Sequence, residues 1–191
     1  MIQFISFFFL GIFLTFQPTF PEPADDLKAF LASMNGYETI RANVTINGTT
    51  SGVLSYKRPN QMHVKLSDGR VISANGRTLW IYSPASAVAG KQDLRGTGGG
   101  ISGLLSGYED IHSTGKVFRL KSSSKSYEEI IVSVGPNNIL KAIRLKPQGK
   151  SEYTDISFSA VQTNIGLASN LFNFHPPANA QIVENPFNQR Q

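Results

Sequence analysis

The sequence predicts a mainly β domain made of one strongly curved antiparallel sheet, accompanied by two short helical segments. Apolar and polar residues alternate through most of residues 37–162, which is the period of a half-buried strand. Turn signals such as Asp68-Gly69 and Asn75-Gly76 interrupt the alternation at short intervals, as in a chain that folds back repeatedly. The chain has 191 residues and no internal repeat, so we expect a single domain over residues 23–191.

The first twenty residues carry no charged side chain and consist mostly of Phe, Ile and Leu. The apolar run from Ile2 to Phe16 is shorter than the roughly 20 residues that span a bilayer. It fits the apolar core of a secretory leader, so we predict that residues 1–22 are a signal peptide. A retained anchor is the alternative. The chain has no cysteine, which excludes disulfides, Cys-ligated zinc and an N-terminal lipidated Cys.

A first helix is predicted to begin after Asp25 or Asp26, both of which are suitable N-cap residues. Apolar residues then recur at three- and four-residue spacing: Leu27, Phe30, Leu31 and Met34. The predicted strands follow at 37–47, 51–58, 61–67, 70–75, 78–83, 86–94, 116–122, 127–134, 138–146 and 151–162, with an extended tail that holds Ile182 and Val183. Two short helices cannot cover so many strands. The sheet therefore either closes into a barrel or stays partly open under a helical lid.

A glycine-rich segment separates the two groups of strands. Gly98, Gly99 and Gly100 are predicted to form a hinge. The apolar residues of the following segment are predicted to form a lid: Ile101, Leu104 and Leu105. The segment formally matches the dinucleotide-binding pattern G-x-G-x-x-G. However, the preceding residues are polar and the region about 20 positions later is basic, so we favour the hinge.

An arginine is predicted to share an apolar face of the sheet. Leu54, Tyr56 and Arg58 are two residues apart and point the same way in a strand. After Pro59 the apolar residues alternate again: Met62, Val64 and Leu66. A cation beside an apolar surface indicates a binding site rather than a filled core. In the alternative interpretation, Pro59 begins a bend and the guanidinium simply extends into water.

Other functional classes find little support in the sequence. The net charge is +5, but the basic residues are scattered, so we do not expect nucleic-acid binding. His63, His112 and His175 are far apart and have no second ligand at metal-binding spacing. No nucleophile elbow is present. We therefore predict that the protein is not an enzyme and holds no metal or cofactor.

Three segments, in order, resemble the outer-membrane lipoprotein carrier family of the LolA type. They are Tyr56-Lys57-Arg58-Pro59-Asn60, the segment SANGRTLWIYSP at 73–84, and Phe172-Asn173-Phe174-His175-Pro176-Pro177. The resemblance covers roughly residues 25–184. It implies an open β half-barrel covered by short helices, and a periplasmic chaperone that carries lipoproteins from the inner to the outer membrane.

The resemblance also implies partners and site residues. The cargo would be acylated lipoproteins, the donor an inner-membrane ABC exporter and the acceptor an outer-membrane receptor where one is present, with the carrier acting as a monomer. Arg58 would hold the lid closed by donating hydrogen bonds to backbone carbonyls of the lid. The acyl-chain cavity is predicted to be lined by Leu54, Tyr56, Met62, Val64, Leu66, Trp80 and Tyr82. A lipid or glycolipid shuttle, or a lipoprotein-sensing module of the same fold, is the alternative.

Overall fold

The computed structural model of the protein describes residues 23–34, 36–94 and 105–186. The predicted signal peptide and Gly98–Leu104 lie outside these ranges. The helix α1 spans Pro23–Met34, and the strands are β1 (Thr39–Ile46), β2 (Thr50–Lys57), β3 (Gln61–Leu66), β4 (Val71–Asn75), β5 (Thr78–Ser83), β6 (Val88–Asp93), β7 (Asp110–Thr114), β8 (Val117–Lys121), β9 (Tyr127–Val134), β10 (Leu140–Pro147), β11 (Thr154–Thr163) and β12 (Gln181–Glu184). Two 3-10 turns span Pro136–Asn138 and Ser169–Phe172.

The strands of the described residues form one sheet of twelve, in the order β12-β6-β5-β4-β3-β2-β1-β11-β10-β9-β8-β7. Neighbouring strands are antiparallel, except that β12 runs parallel to β6. Within the described residues, β12 and β7 form the two edges and do not pair with each other, so the sheet is open. The prediction of a mainly β fold with a curved, open antiparallel sheet is confirmed.

A β-bulge interrupts the pairing of β1 with β11 at the middle of the sheet. The register shifts between Arg41 and Asn43, opposite an extra residue in β11. Ala160 lies at this point with a φ of 49°, in the left-handed region. Such bulges bend a strand and increase its twist, so this position contributes to the curvature of the sheet.

One face of the sheet, here called the helix face, packs against α1. Phe30 of α1 is 3% exposed, and its ring stacks on Phe118 of β8 with centroids 5.9 Å apart. The buried core on this face consists of Leu27, Phe30, Leu105, Tyr108, Phe118, Leu120, Ile130, Val132, Val134, Ile143 and Leu145. The core therefore lies under the half of the sheet made by β7–β11.

The helix begins earlier than predicted. It starts at Pro23, so Asp25 and Asp26 lie in its first turn and are not its N-cap. Carboxylates in the first turn still interact favourably with the positive end of the helix dipole. The spacing of Leu27 and Phe30 places both side chains on the buried side of α1, as the period of the sequence indicates.

The opposite face of the sheet is crossed by residues 164–180, here called the strap. The strap joins the end of β11 to β12 at the far edge. The Ser73 hydroxyl of β4 donates a hydrogen bond to the carbonyl of Phe172 at 3.5 Å. The ring of Phe174 contacts Trp80 and Tyr82 of β5, with centroids 6.5 Å and 5.9 Å away. We call this the strap face.

The strand β7 was not predicted, since the sequence analysis assigned no strand between residues 94 and 116. Residues Asp110–Thr114 instead pair with β8 along the edge of the sheet. Ile111 is the one large apolar residue in this short strand, so no alternation could reveal it. None of the helices in the described ranges is long and apolar enough to cross a membrane.

Candidate functional site

An apolar row continues along the helix face beyond the part that α1 covers. Leu54 of β2 lies opposite Val64 of β3, which lies opposite Ile72 of β4, which lies opposite Ile81 of β5. Directly opposed residues share a face, so these side chains form one row across four strands. All four are only half-buried. Residues of the same kind under α1 are fully buried, as shown by Leu120 at 0% exposure.

A small apolar cavity lies where this row meets the C-terminal end of α1. It encloses about 40 Å³. Its walls are Met34, Tyr37, Ile40, Ala42, Leu54, Ile139, Leu140, Phe158, Val161 and Thr163. This volume is far below the roughly 300–1,000 Å³ of pockets that bind small molecules. The cavity alone is too small for an acyl chain. It marks the boundary between the filled part of the helix face and the half-buried part.

The structure divides the seven predicted cavity residues between the two faces. Five of them are on the helix face: Leu54, Tyr56, Met62, Val64 and Leu66. Trp80 and Tyr82 lie on the strap face, because Trp80 is opposite Ser73 and Tyr82 is opposite Val71. Their placement in the same cavity was therefore wrong. Their rings pack against Phe174 instead.

Three residues that the sequence prediction missed occupy the helix face of β4 and β5. They are Ile72, Leu79 and Ile81. The loop between β4 and β5 has two residues, Gly76 and Arg77. A loop of this length pairs an odd-numbered residue with an even-numbered one, so the facing residues change parity across the turn. Counting through this loop would have placed Leu79 and Ile81 on this face.

Arg58 lies just after β2, at the rim of the apolar row. Its backbone N–H donates to the carbonyl of Glu38 at 3.0 Å, and its Nη1 atom lies 3.5 Å from Oε1 of Glu38. The Arg58 side chain is 44% exposed. It is therefore neither fully in solvent nor inside the apolar surface. The lid carbonyls that it was predicted to bind lie outside the described residues, except those next to Leu105.

Tyr56 links this rim to the apolar row. Its hydroxyl donates to the carbonyl of Pro59 at 3.1 Å. Partial burial raises the pKa of Tyr56, the charge of Arg58 opposes this, and the charge of Glu38 adds to it. Tyr56 therefore stays a neutral hydrogen-bond donor, with its ring in the row and its hydroxyl at the rim beside Arg58.

The predicted lid is described at one residue. Leu105 is 2% exposed and belongs to the core under α1, so it packs on the filled part of the helix face. Gly98, Gly99, Gly100, Ile101 and Leu104 lie outside the described residues. The prediction that they form a hinge and lid remains a prediction.

The described residues contain no group of three or more His, Asp or Glu side chains that could hold a metal ion. His63 stands on the strap face of β3, between Ser55 and Ser73 of the neighbouring strands. Its Nδ1 atom is buried and has no hydrogen-bond partner among the described residues. Burial lowers the pKa of His63, and the nearby charge of Lys65 lowers it further.

Comparison with known proteins shows which family this chain belongs to. A family model described as outer membrane lipoprotein carrier protein LolA matches residues 38–175. The chain belongs to this family. The match extends from the start of β1 into the strap, so the matched residues include both the apolar row and most of the strap. The resemblance found in the three sequence segments is confirmed.

Individual relatives agree with this assignment. An outer-membrane lipoprotein carrier protein of Legionella pneumophila (strain Lens) is 29% identical over 150 residues, which cover 71% of this chain and 74% of the relative. One from Cupriavidus taiwanensis is 24% identical over 200 residues, covering 92% and 94%. A solved structure of an uncharacterized conserved protein from Thermus thermophilus has a TM-score of 0.55 at 10% identity, covering 83% of this chain and 99% of that one. The last likeness concerns the fold alone.

Proposed function

We propose that this protein is a periplasmic, non-enzymatic chaperone that carries lipoproteins from the inner to the outer membrane. The observation that carries the proposal is the half-buried apolar row on the helix face of β2–β5. Membership in a family of lipoprotein carriers supports lipoproteins as the class of cargo. The row supplies the chemistry, because it offers a surface without charged side chains to acyl chains that water does not solvate.

The free energy involved explains why a carrier is needed. Each buried methylene group is worth about 0.8 kcal/mol, so one chain of about 15 methylene groups would cost about 12 kcal/mol in water. A 40 Å³ cavity does not shield such a chain. We therefore expect loading to depend on the predicted lid, which would have to leave the row between Leu54 and Ile81 accessible to the chain.

Arg58 is the residue that we expect to control this movement. In the empty protein its guanidinium would bond Glu38 and backbone carbonyls of the predicted lid, with each charge-assisted bond worth about 1.5–3 kcal/mol. Cargo would break the bonds to the lid when it opens the site. Part of the binding free energy is then stored in the open form, which favours release to a receptor that binds the acyl chains more tightly.

Mass spectrometry of the protein purified from periplasm tests the proposal. We expect acylated protein bound in a stoichiometric complex. Free phospholipid or glycolipid in its place would support the shuttle alternative and contradict the carrier. Recovery of the protein with neither kind of cargo, under conditions in which lipoproteins are being exported, would also contradict it.

Substitution of the rim arginine tests the mechanism separately. We expect Arg58→Leu to load lipoprotein but to transfer it poorly, because opening no longer breaks bonds that favour release. Arg70→Leu is a matched control: Arg70 is 47% exposed and is ion-paired with Asp68 in a hairpin turn. Loading and transfer are followed by immunoblotting of membrane fractions. Normal transfer by Arg58→Leu, or an equal defect in Arg70→Leu, would remove Arg58 from the mechanism.

A further inference from the structure

The strap face has two regions with different charge arrangements. On β8 and β10 two arginines have carboxylate partners: Nη1 of Arg119 lies 2.7 Å from Oε1 of Glu129, and Nε of Arg144 lies 2.6 Å from Oδ1 of Asp155. Tyr153 also donates a hydrogen bond to Glu129. Burial by itself raises the pKa of Glu129, but the hydrogen bonds from Tyr153 and Arg119 outweigh it, so this pKa is lowered. The buried carboxylate is thus a fixed counter-charge.

The neighbouring region over β1, β2 and β3 has cations without such partners. Arg41, Lys57 and Lys65 stand on the strap face, one on each strand. No carboxylate in the described part of the chain lies within ion-pair distance of any of them. The carboxylates nearest in sequence are occupied, Glu38 by Arg58 and Asp68 by Arg70.

The register places these cations close together. Arg41 is directly opposite Ser55, and Lys57 is two residues further along β2. Lys65 is opposite Val53, two residues from Ser55 in the other direction. From the spacing of strands and residues, their Cα atoms lie about 8–14 Å apart. We call Arg41, Lys57 and Lys65 the cation triangle.

Within the described residues, the strands that carry the triangle add no negative charge on this face. The strap-face positions of β1, β2 and β3 include no Asp or Glu. The strap, residues 164–180, contains no Asp, Glu, Lys or Arg. It does contribute half-buried apolar side chains at Ile165, Leu167 and Leu171.

From this arrangement we propose that the strap face over β1–β3 docks reversibly on the anionic phospholipid surface of a membrane. Arg41 and Lys65 are exposed and Lys57 is half-buried on this face, which the strap crosses, and long cationic side chains without a carboxylate partner suit a diffuse negative field. A protein partner would call for an aromatic or aliphatic anchor in a pocket, and the triangle has none within the described residues. Because the triangle is on the face opposite the apolar row, docking leaves the helix face open to cargo. This inference goes beyond carriage and does not require cargo to be bound.

Vesicle binding by the cargo-free protein tests this inference. We expect the protein to co-sediment with vesicles that contain phosphatidylglycerol but not with vesicles of phosphatidylcholine alone. Added salt should weaken the binding, because exposed charges are screened. The triple substitution Arg41→Gln, Lys57→Gln, Lys65→Gln should lower the partition coefficient about 100-fold, at about fivefold per charge.

A second triple substitution separates a specific face from net charge. Lys125→Gln, Lys141→Gln and Lys150→Gln remove the same charge from exposed positions outside the triangle. We expect this variant to bind within about threefold of the unsubstituted protein. Circular dichroism melts establish that both variants are folded. The proposal is overturned if the two triples lose binding equally, if phosphatidylcholine vesicles bind as well, or if anionic vesicles do not bind.

Discussion

The two halves of the sheet are covered from opposite sides. Under β7–β11 the helix face is buried by α1, and Leu120, Ile130 and Val132 are 0% exposed. In the half made by β2–β6 the strap covers the other face, where Ser73 and Phe172 are 1% exposed. The helix face of that half keeps a half-buried apolar row. The same alternating pattern thus becomes a packed core in the half under α1 and a half-buried apolar surface in the other half.

The largest expected effect is a loss of stability when a core side chain of α1 is truncated. Phe30→Ala should lower the free energy of unfolding by about 3–5 kcal/mol, because it leaves a cavity against Phe118. Met62→Ala, a truncation on the half-buried part of the helix face, should cost about 1 kcal/mol. Urea denaturation measures both values. Equal losses would show that the two halves are packed alike and would contradict the comparison.

A smaller effect on stability is expected at acid pH, through His63 on the strap face of β3. The pKa of His63 is lowered from 6.5, mainly by burial and then by the charge of Lys65. The unfolded chain therefore binds a proton more readily, and folding stability should fall as the pH drops below about 6.5. Ser55 on β2, Ser73 on β4 and the 3-10 turn Ser169–Phe172 supply no carboxylate that could offset the new charge.

Thermal melts of the unsubstituted protein and of His63→Gln, from about pH 7.5 to about pH 5, measure this contribution. The stability difference between the two proteins should change in favour of His63→Gln as the solution becomes acidic. Hydrogen exchange of the β12 amides should rise over the same pH range in the unsubstituted protein. Parallel stability curves for the two proteins would contradict the prediction.

The smallest expected effect is spectroscopic. Trp80 is the single tryptophan of the chain and lies on the strap face, so brominated acyl chains bound on the helix face should quench its fluorescence little. In a Trp80→Phe background, Leu54→Trp places the reporter on the row and should be quenched strongly. Strong quenching of Trp80 itself would mean that the acyl chains bind on the opposite face from the one proposed.

Much of the fold could be predicted from local sequence pattern, whereas the assignment of faces depended on turn geometry. The period of two located most of the strands because each is half-buried. β7 was missed because Ile111 alone gives no period. Trp80 and Tyr82 were assigned to the wrong face because apolarity does not say which side a strand presents, whereas the two-residue loop after Asn75 does.

The candidate site was predictable in part for the same reasons. Leu54 and Val64 were found because they alternate with polar residues in strands that pair in register. The ion pair between Arg58 and Glu38 was not predicted, because it joins the end of β2 to the start of β1, and sequence distance conceals that contact. The unequal cover of the two halves was equally hidden, since it depends on where α1 and the strap lie.

The path of the strap has a mechanical consequence. It leaves β11 near the centre of the sheet and ends as β12 at the far edge, across seven strand-to-strand intervals, or roughly 34 Å. Phe172 and Phe174 fix it along the way. Flattening of this half of the sheet would lengthen that path and strain the contacts of Phe172 and Phe174. The strap therefore limits how far the sheet can flatten when it binds a large ligand.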